Sequence, residues 1–176
     1  MIVGPTVGAM AETILVQERG QTLAFSFTDL LRYAGPHSPA GVANAFKVMQ
    51  RAFPLLSPKE PPQRRSVIVR TAFQGPGARD GFEAATRAVT DGRYTVDLTM
   101  ARPDRGRLLQ SFVFRIGIGN RSATLLLRKG FVTDEFIDLA GKPDHSRQDE
   151  SRLDELKAQL AQRLIASHAE DVYDVL

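Results

Sequence analysis

Cysteine is absent from the 176 residues, and so is tryptophan. Without cysteine the chain can form no disulfide, supply no thiolate to a metal and offer no cysteine nucleophile. Histidine occurs three times, as His37, His145 and His168, with nothing at ligand spacing beside any of them. One histidine does not hold a metal, so neither a metal site nor a cofactor is expected. No uninterrupted apolar run approaches the ~18 residues that a membrane-spanning helix needs. The opening MIVGPTVGAMAETILV lacks a basic start and is broken by Gly4, Pro5, Gly8 and Glu12, which does not read as a signal peptide. The expectation is a cytoplasmic protein with no membrane contact. Internal repeats and low-complexity tracts are also missing.

What is present is ordinary globular composition, 43% hydrophobic and 24% charged, with ten phenylalanines doing the aromatic work. The length suits one domain that buries close to ~70% of the surface its unfolded chain exposes. The expected division is an α+β core over 1–145, then a helix and tail over 146–176 that belong to the same domain or to a dimer contact. The net charge is only +3. Arginines crowd the middle of the chain, from Arg64 and Arg65 to Arg128, but acidic residues are interspersed and no recognition helix carries the cluster. That pattern argues against nucleic acid as a partner.

The first eleven residues read as a loose arm. Thr13–Gln17 and Thr22–Phe27 flank Glu18-Arg19-Gly20-Gln21, a hairpin turn; alternatively Phe25 and Phe27 lead into a first helix. That helix starts at Thr28-Asp29, buries Leu30-Leu31 and stops at Gly35-Pro36. Ser38-Pro39 restarts the chain as cap and first helical residue. Val42, Phe46, Met49 and Phe53 then recur at helical spacing, while the small residues Ala40, Gly41, Ala43 and Ala45 let another backbone approach, the favoured account being tight helix–sheet packing. Pro54–Arg65 is a linker. Ser66–Phe73 is a strand, broken by Gly75-Pro76-Gly77, and Asp80–Val89 is a helix ended by Asp91-Gly92. Tyr94–Ala101, Leu108–Ile118 and Ala123–Lys129 alternate and are joined by short polar turns, so an antiparallel meander is expected. Strands segregated from helices give an α+β fold, not a doubly wound sheet. Thr133-Asp134 caps a short helix that ends at Gly141. Ser151–Ala166 is an amphipathic helix with the seam Leu153, Leu156, Leu160 and Leu164, its start marked by Ser151-x-x-Asp154. The seam docks on the sheet or pairs with a second subunit, and the tail Glu170–Leu176 packs across a partner.

Two loops carry the chemistry. Gln74–Asp80 is a strand–glycine loop–helix arrangement, which aims free backbone amides at an anion. Arg79 adds a guanidinium fork for carboxylate or phosphate. No Lys-Ser/Thr pair follows, so it is not a P-loop, and the glycine spacing differs from the dinucleotide fingerprint. A tight turn that needs glycine for its backbone angles is the commoner explanation of such a loop. The second loop, Tyr33–Pro39, holds His37, a candidate general base or ligand-binding imidazole. Ser38 before proline reads as a cap more than as a nucleophile. Asp80, Glu83 and Asp97 are the nearest candidate carboxylates. The two loops are expected to meet.

In these loops the chain resembles the formylmethanofuran dehydrogenase E-subunit family, with its stand-alone relatives. Family members carry a His-Gly-His-x-Cys-Pro-Gly loop opening a helix. A strand follows, then a cysteine-containing loop into a helix with an Asp-Ala-Ile-Gln type start and a Thr-Gly-x-Thr-x-Gly-Lys-Gly type end. Here Ala34–Ala40 stands for the first motif, with Gly35 and Pro39 in register. Gly77–Glu83, closing at Thr86 and Thr90–Tyr94, stands for the second, with Asp80 and Phe82 matching in kind. The order and spacing of elements are similar from about Asp29 to Ala140. The family's metal-binding histidines and cysteine are replaced by Ala34, Pro36 and Ser38, and its second-loop cysteine and C-terminal zinc ribbon are missing. The resemblance therefore implies a relative that has lost the metal site, and it implies a homodimer.

Three functions are weighed. The first is a small-ligand or anion-binding module whose cleft lies between the loops, with Ser38, Gly75, Gly77, Arg79 and Asp80 as binding residues and His37 at its side. The second is a metal-independent enzyme with His37 as general base and Arg79 as anion clamp. The third is an assembly protein working through the leucine helix.

Overall fold

The computed structural model describes residues 12–176, so the expected N-terminal arm lies outside the described residues. The fold is α+β, built around one helix that is buried on nearly every side.

The chain opens with a hairpin, β1 (Thr13–Glu18) and β2 (Gln21–Ser26). Its two-residue turn places Arg19 at φ 50 and Gly20 at φ 79, the left-handed pair that matches strand twist. Helix α1 (Phe27–Ala34) starts earlier than the expected Thr28-Asp29. Ser26 is the cap, and its hydroxyl accepts from the Asp29 amide while the Asp29 carboxylate accepts from the Ser26 amide. Gly35, at φ 82, ends it.

Helix α2 (Pro39–Leu56) is the central element. The expected stripe is present, but Ala43, Asn44, Ala45, Lys47 and Val48 are buried too. Sheet, hairpin and helices α1, α3 and α5 surround it. It also runs through Pro54, where a linker was expected, because a proline so close to the end disturbs only the last turn. The ammonium of Lys47, fully buried, is matched by Glu12 at 3.0 Å.

The main sheet has the order β4-β3-β5-β6-β7. Its strands are β3 (Ile68–Thr71), β4 (Tyr94–Val96), β5 (Val113–Ile118), β6 (Arg121–Leu127) and β7 (Tyr173–Val175). This corrects the expected meander. The β5–β6 hairpin is antiparallel as expected, but β3 lies between β4 and β5. β3 and β4 run parallel, joined over helix α3 (Pro76–Thr86), because a parallel pair needs a crossover of that length. β4 is also short. Asp97 caps a tight turn at Leu98–Met100 by accepting from the Thr99 amide, so Val96, Leu98 and Met100 never share one buried face.

Helix α3 ends at Thr86 instead of Val89. Arg87 takes the left-handed cap at φ 58, and Gly92 serves the next turn at φ 73. Thr133 caps α4 (Asp134–Ala140) by accepting from the Phe136 amide, as expected. Helix α5 (Arg147–Ala166) begins earlier than Ser151: the capping box is Ser146 with Asp149. Its leucine seam packs against α2 of the same chain, with Leu153, Leu156, Leu160 and Leu164 all buried, so it is not a free interface. The tail likewise stays home. After α6 (Ala169–Val172) it forms β7 and pairs with β6.

The start of α5 gives a pH prediction. The Lys142 ammonium, 2.6 Å from Asp149, and the Ser146 amide hold that carboxyl down at about 2 from its ordinary 3.8. The folded value is depressed. The contribution is therefore full above 3.8 and is lost as pH falls through about 2. An NMR titration of the Asp149 carboxyl should show the low value, and Lys142→Met should move it upward.

Candidate functional site

The two loops do meet. Both open helices that cross at small residues. A Cβ on Gly41 would lie 2.7 Å from the Ala78 nitrogen and 2.9 Å from the Gly77 Cα. One turn on, a Cβ on Gly81 would lie 2.8 Å from that of Ala45. Because Gly41 meets Gly77 and Ala45 meets Gly81, α2 and α3 run in the same direction. Their N-termini open side by side into a cleft of ≈ 580 Å³.

Neither start is capped by a side chain, and neither has an acidic residue in its first turn. Ser38 stands at the cap position of α2 but its hydroxyl makes no capping bond. By contrast α1, α4 and α5 each have a side-chain cap and first-turn carboxylates. The first-turn amides have no acceptor within their own helices. Pro39 and Pro76 remove one donor from each set, which leaves the amides of Ala40, Gly41, Gly77 and Ala78 at the paired positive ends.

The floor is Asn44, 1% exposed. Its Nδ2 donates to the Ala40 carbonyl at 2.9 Å, and its Oδ1 accepts from the Tyr173 hydroxyl at 2.5 Å. Burial pushes that phenol well above its ordinary value. One wall is apolar: Phe73 stacks on Phe112 with ring centroids 4.8 Å apart, and Phe136 and Ile137 face in from α4. Helix α5 forms another rim, where Lys157 donates to the His37 carbonyl at 3.3 Å. Arg107 also lines the cleft, but Asp134 at 2.7 Å and Asp138 at 2.9 Å engage it. Among the described residues no aspartate or glutamate lines the cleft.

Of the expected site residues, His37, Ser38, Gly75 and Gly77 line this cleft. Arg79 and Asp80 do not, which corrects their assignment. The face of α3 that meets α2 is Gly77, Ala78 and Gly81, so Arg79 lies outside the cleft, close enough to Tyr94 to lower a phenol pKa that burial has pushed up to about 12. The proposed acid–base pairing loses its clamp. His37 is exposed, and no carboxylate among the described residues lines the cleft to orient its ring. Glu83 is engaged by Thr90 and Arg87, and Asp97 by Thr99 and Arg70. Among the described residues no group of three or more metal-ligating side chains comes together. Nor is any described helix long and apolar enough to cross a membrane.

Asn44 and Lys157 are additions. Asn44 is the one amide in an otherwise apolar run, Ala40–Phe46, which is a visible signal. Lys157 lies on the polar side of α5 and is indistinguishable from its solvated neighbours until that helix is docked. A second groove of ≈ 450 Å³, between β1, the end of α2 and the 57–62 loop, carries Glu12, Glu60 and Glu170 on its walls and has no such cationic bias. Comparison with family models and with curated proteins finds no match.

Proposed function

We propose that the chain is a binding module for a small organic anion, held in the cleft between the loops 34–39 and 74–77, without the metal site of the formylmethanofuran dehydrogenase E-subunit family that it resembles. One observation carries the reading. The cleft joins two uncapped helix starts to Lys157, and among the described residues lysine and arginine line it while no aspartate or glutamate does. Helix N-termini favour negative charge, and two in parallel reinforce each other. The order of loop, helix, strand, loop and helix supports the family resemblance, and the positions of the absent ligands, Ala34, Pro36 and Ser38, fall in the first loop. The homodimer and the cytoplasmic location belong to the same proposal. The leucine seam of α5 is covered within the chain and is not the dimer interface.

The test is calorimetric titration of the purified chain with monocarboxylates from acetate to phenylacetate at constant ionic strength. Saturable binding is expected, weakened about tenfold or more by Lys157→Glu, which replaces an attraction by a repulsion of similar size. A ligand at ten times its Kd should also stabilise the fold by about 1.4 kcal/mol. Absence of binding throughout the series, or indifference to Lys157→Glu in a folded variant, would overturn the proposal.

A further inference from the structure

The cleft lining combines one lysine and two helix starts with several apolar side chains. Resting on the anion reading above, we infer that its ligand is an amphipathic monoanion, a carboxylate attached to an aromatic or branched apolar body. Of Lys157 and Arg107, the lysine and arginine among the described residues lining the cleft, only Lys157 has no carboxylate partner, and its ammonium spends one donor on the His37 carbonyl, leaving others for the head group. Arg107, the one guanidinium lining the cleft among the described residues, is already forked between Asp134 and Asp138, so none is available to match a doubly charged phosphate. Much of the remaining lining is apolar: Phe73, Phe112, Phe136, Ile137 and Leu108. Of these, Phe73, Leu108, Phe136 and Ile137 are only half-buried, which leaves apolar surface that a ligand body can cover.

The apolar wall and the amide-bearing loop are locked to each other. A Cβ on Gly75 would collide with the ring of Phe73, so that ring lies directly across the loop. Phe73 is fixed in turn by its amide, which donates to Thr71 Oγ1 at 3.0 Å, and by the Phe112 ring. The head-group region and the apolar face are therefore neighbours with a set spacing, which favours a short ligand over a long flexible chain. The volume of ≈ 580 Å³ falls in the range of small-molecule sites. Ligand pockets are mostly apolar with a few placed polar groups, and this lining matches that division.

The probes are phenylacetate, 3-methylbutanoate, acetate, inorganic phosphate and benzyl alcohol, titrated into the full chain. Phenylacetate or 3-methylbutanoate should bind at least about tenfold more tightly than acetate, since covering an apolar group of that size is worth that factor or more. Phe136→Ser, at a half-buried position on α4, should remove most of that advantage, lowering phenylacetate affinity far more than acetate affinity. Lys157→Glu should weaken every anion and leave benzyl alcohol unchanged. If acetate or phosphate binds as tightly as phenylacetate and Phe136→Ser has no effect, the amphipathic inference fails while the anion reading stands. If benzyl alcohol matches phenylacetate, or if nothing binds, both fail.

Discussion

Replacing Gly77 by alanine is expected to cost about 2–3 kcal/mol of folding stability, the upper part of the range for overpacking. The added Cβ would run into the Ser38 carbonyl and stand 2.8 Å from the Ser38 Cβ and 3.1 Å from the Gly41 Cα. Most of these neighbours are backbone, so no rotamer change relieves the clash; one helix must move. A urea titration should show a lower midpoint with an unchanged slope, since the surface exposed on unfolding is the same. Gly117→Ala is the control. Its Cβ would meet Ile68 at 3.6 Å, an ordinary contact, and its stability should stay within about 0.5 kcal/mol of the parent. Equal losses at both positions would show that the α2–α3 crossing is not what Gly77 serves.

The same substitution reads out the cleft. Gly77 sets how closely the two helix starts approach, and the amides beside it are the donors assigned to the anion. Gly77→Ala should therefore weaken carboxylate binding as well as folding. Gly81→Ala, one turn deeper, clashes with the Cβ of Ala45 at 2.8 Å, while the Val42 Cα and carbonyl oxygen at 3.6 Å are ordinary contacts. Its cost should be largely recovered by the swap Ala45→Gly, because the clash is between two methyl groups.

How much of this is legible in the sequence differs by element, for physical reasons. The hairpin turn at Arg19-Gly20 and the cap at Thr133 are local chemistry, and each lies where the residues place it; the restart at Ser38-Pro39 is also in place, but the capping bond expected of Ser38 is not made. That the two loops meet is legible, but the helix crossing behind them is not: small residues at 41 and 45 signal close backbone approach, which tight helix–sheet packing satisfies equally, and it is α3, through Gly77, Ala78 and Gly81, that takes the place. Nor is the sheet order legible. Whether Tyr94 pairs with β3 or with β5 depends on where α3 packs, and alternation within 94–101 looks the same in either case. The start of α5 is misplaced by pattern alone because Ser151-x-x-Asp154 and Ser146-x-x-Asp149 are equivalent as patterns; only the second lies where the chain turns after Pro143. Arg79 and Lys157 form the instructive pair. Arg79 is adjacent in sequence to the glycine loop yet turns away from the cleft, since helical periodicity sets its direction. Lys157 is 120 residues from His37 and reaches its carbonyl. Chain proximity suggests the first, and nothing short of docking α5 on α2 reveals the second.

Tyr173→Phe is expected to cost about 1–3 kcal/mol, although it removes one oxygen and leaves the ring in place. The hydroxyl donates to Asn44 Oδ1 at 2.5 Å inside the core, and both side chains are essentially inaccessible to solvent. Its removal leaves a buried amide oxygen without a donor, which costs more than the bond is worth in net stability. Asn44→Leu makes the reverse error by stranding the hydroxyl. The double variant should be less damaged than the sum of the two by about 0.5–3 kcal/mol, because each single change contains a desolvation penalty that the pair does not. Burial holds the Tyr173 phenol protonated, so the coupling should be constant from about pH 5 to about pH 9. Additive single effects would mean that the contact contributes nothing of its own. The bond also ties the last strand to the cleft. β7 reaches α2 through this hydroxyl, and Asn44 is the cleft floor beside the Ala40 carbonyl. Tyr173→Phe should therefore weaken carboxylate binding from a position that lies outside the cleft, and Asn44→Leu should weaken it further by removing the floor's polar group.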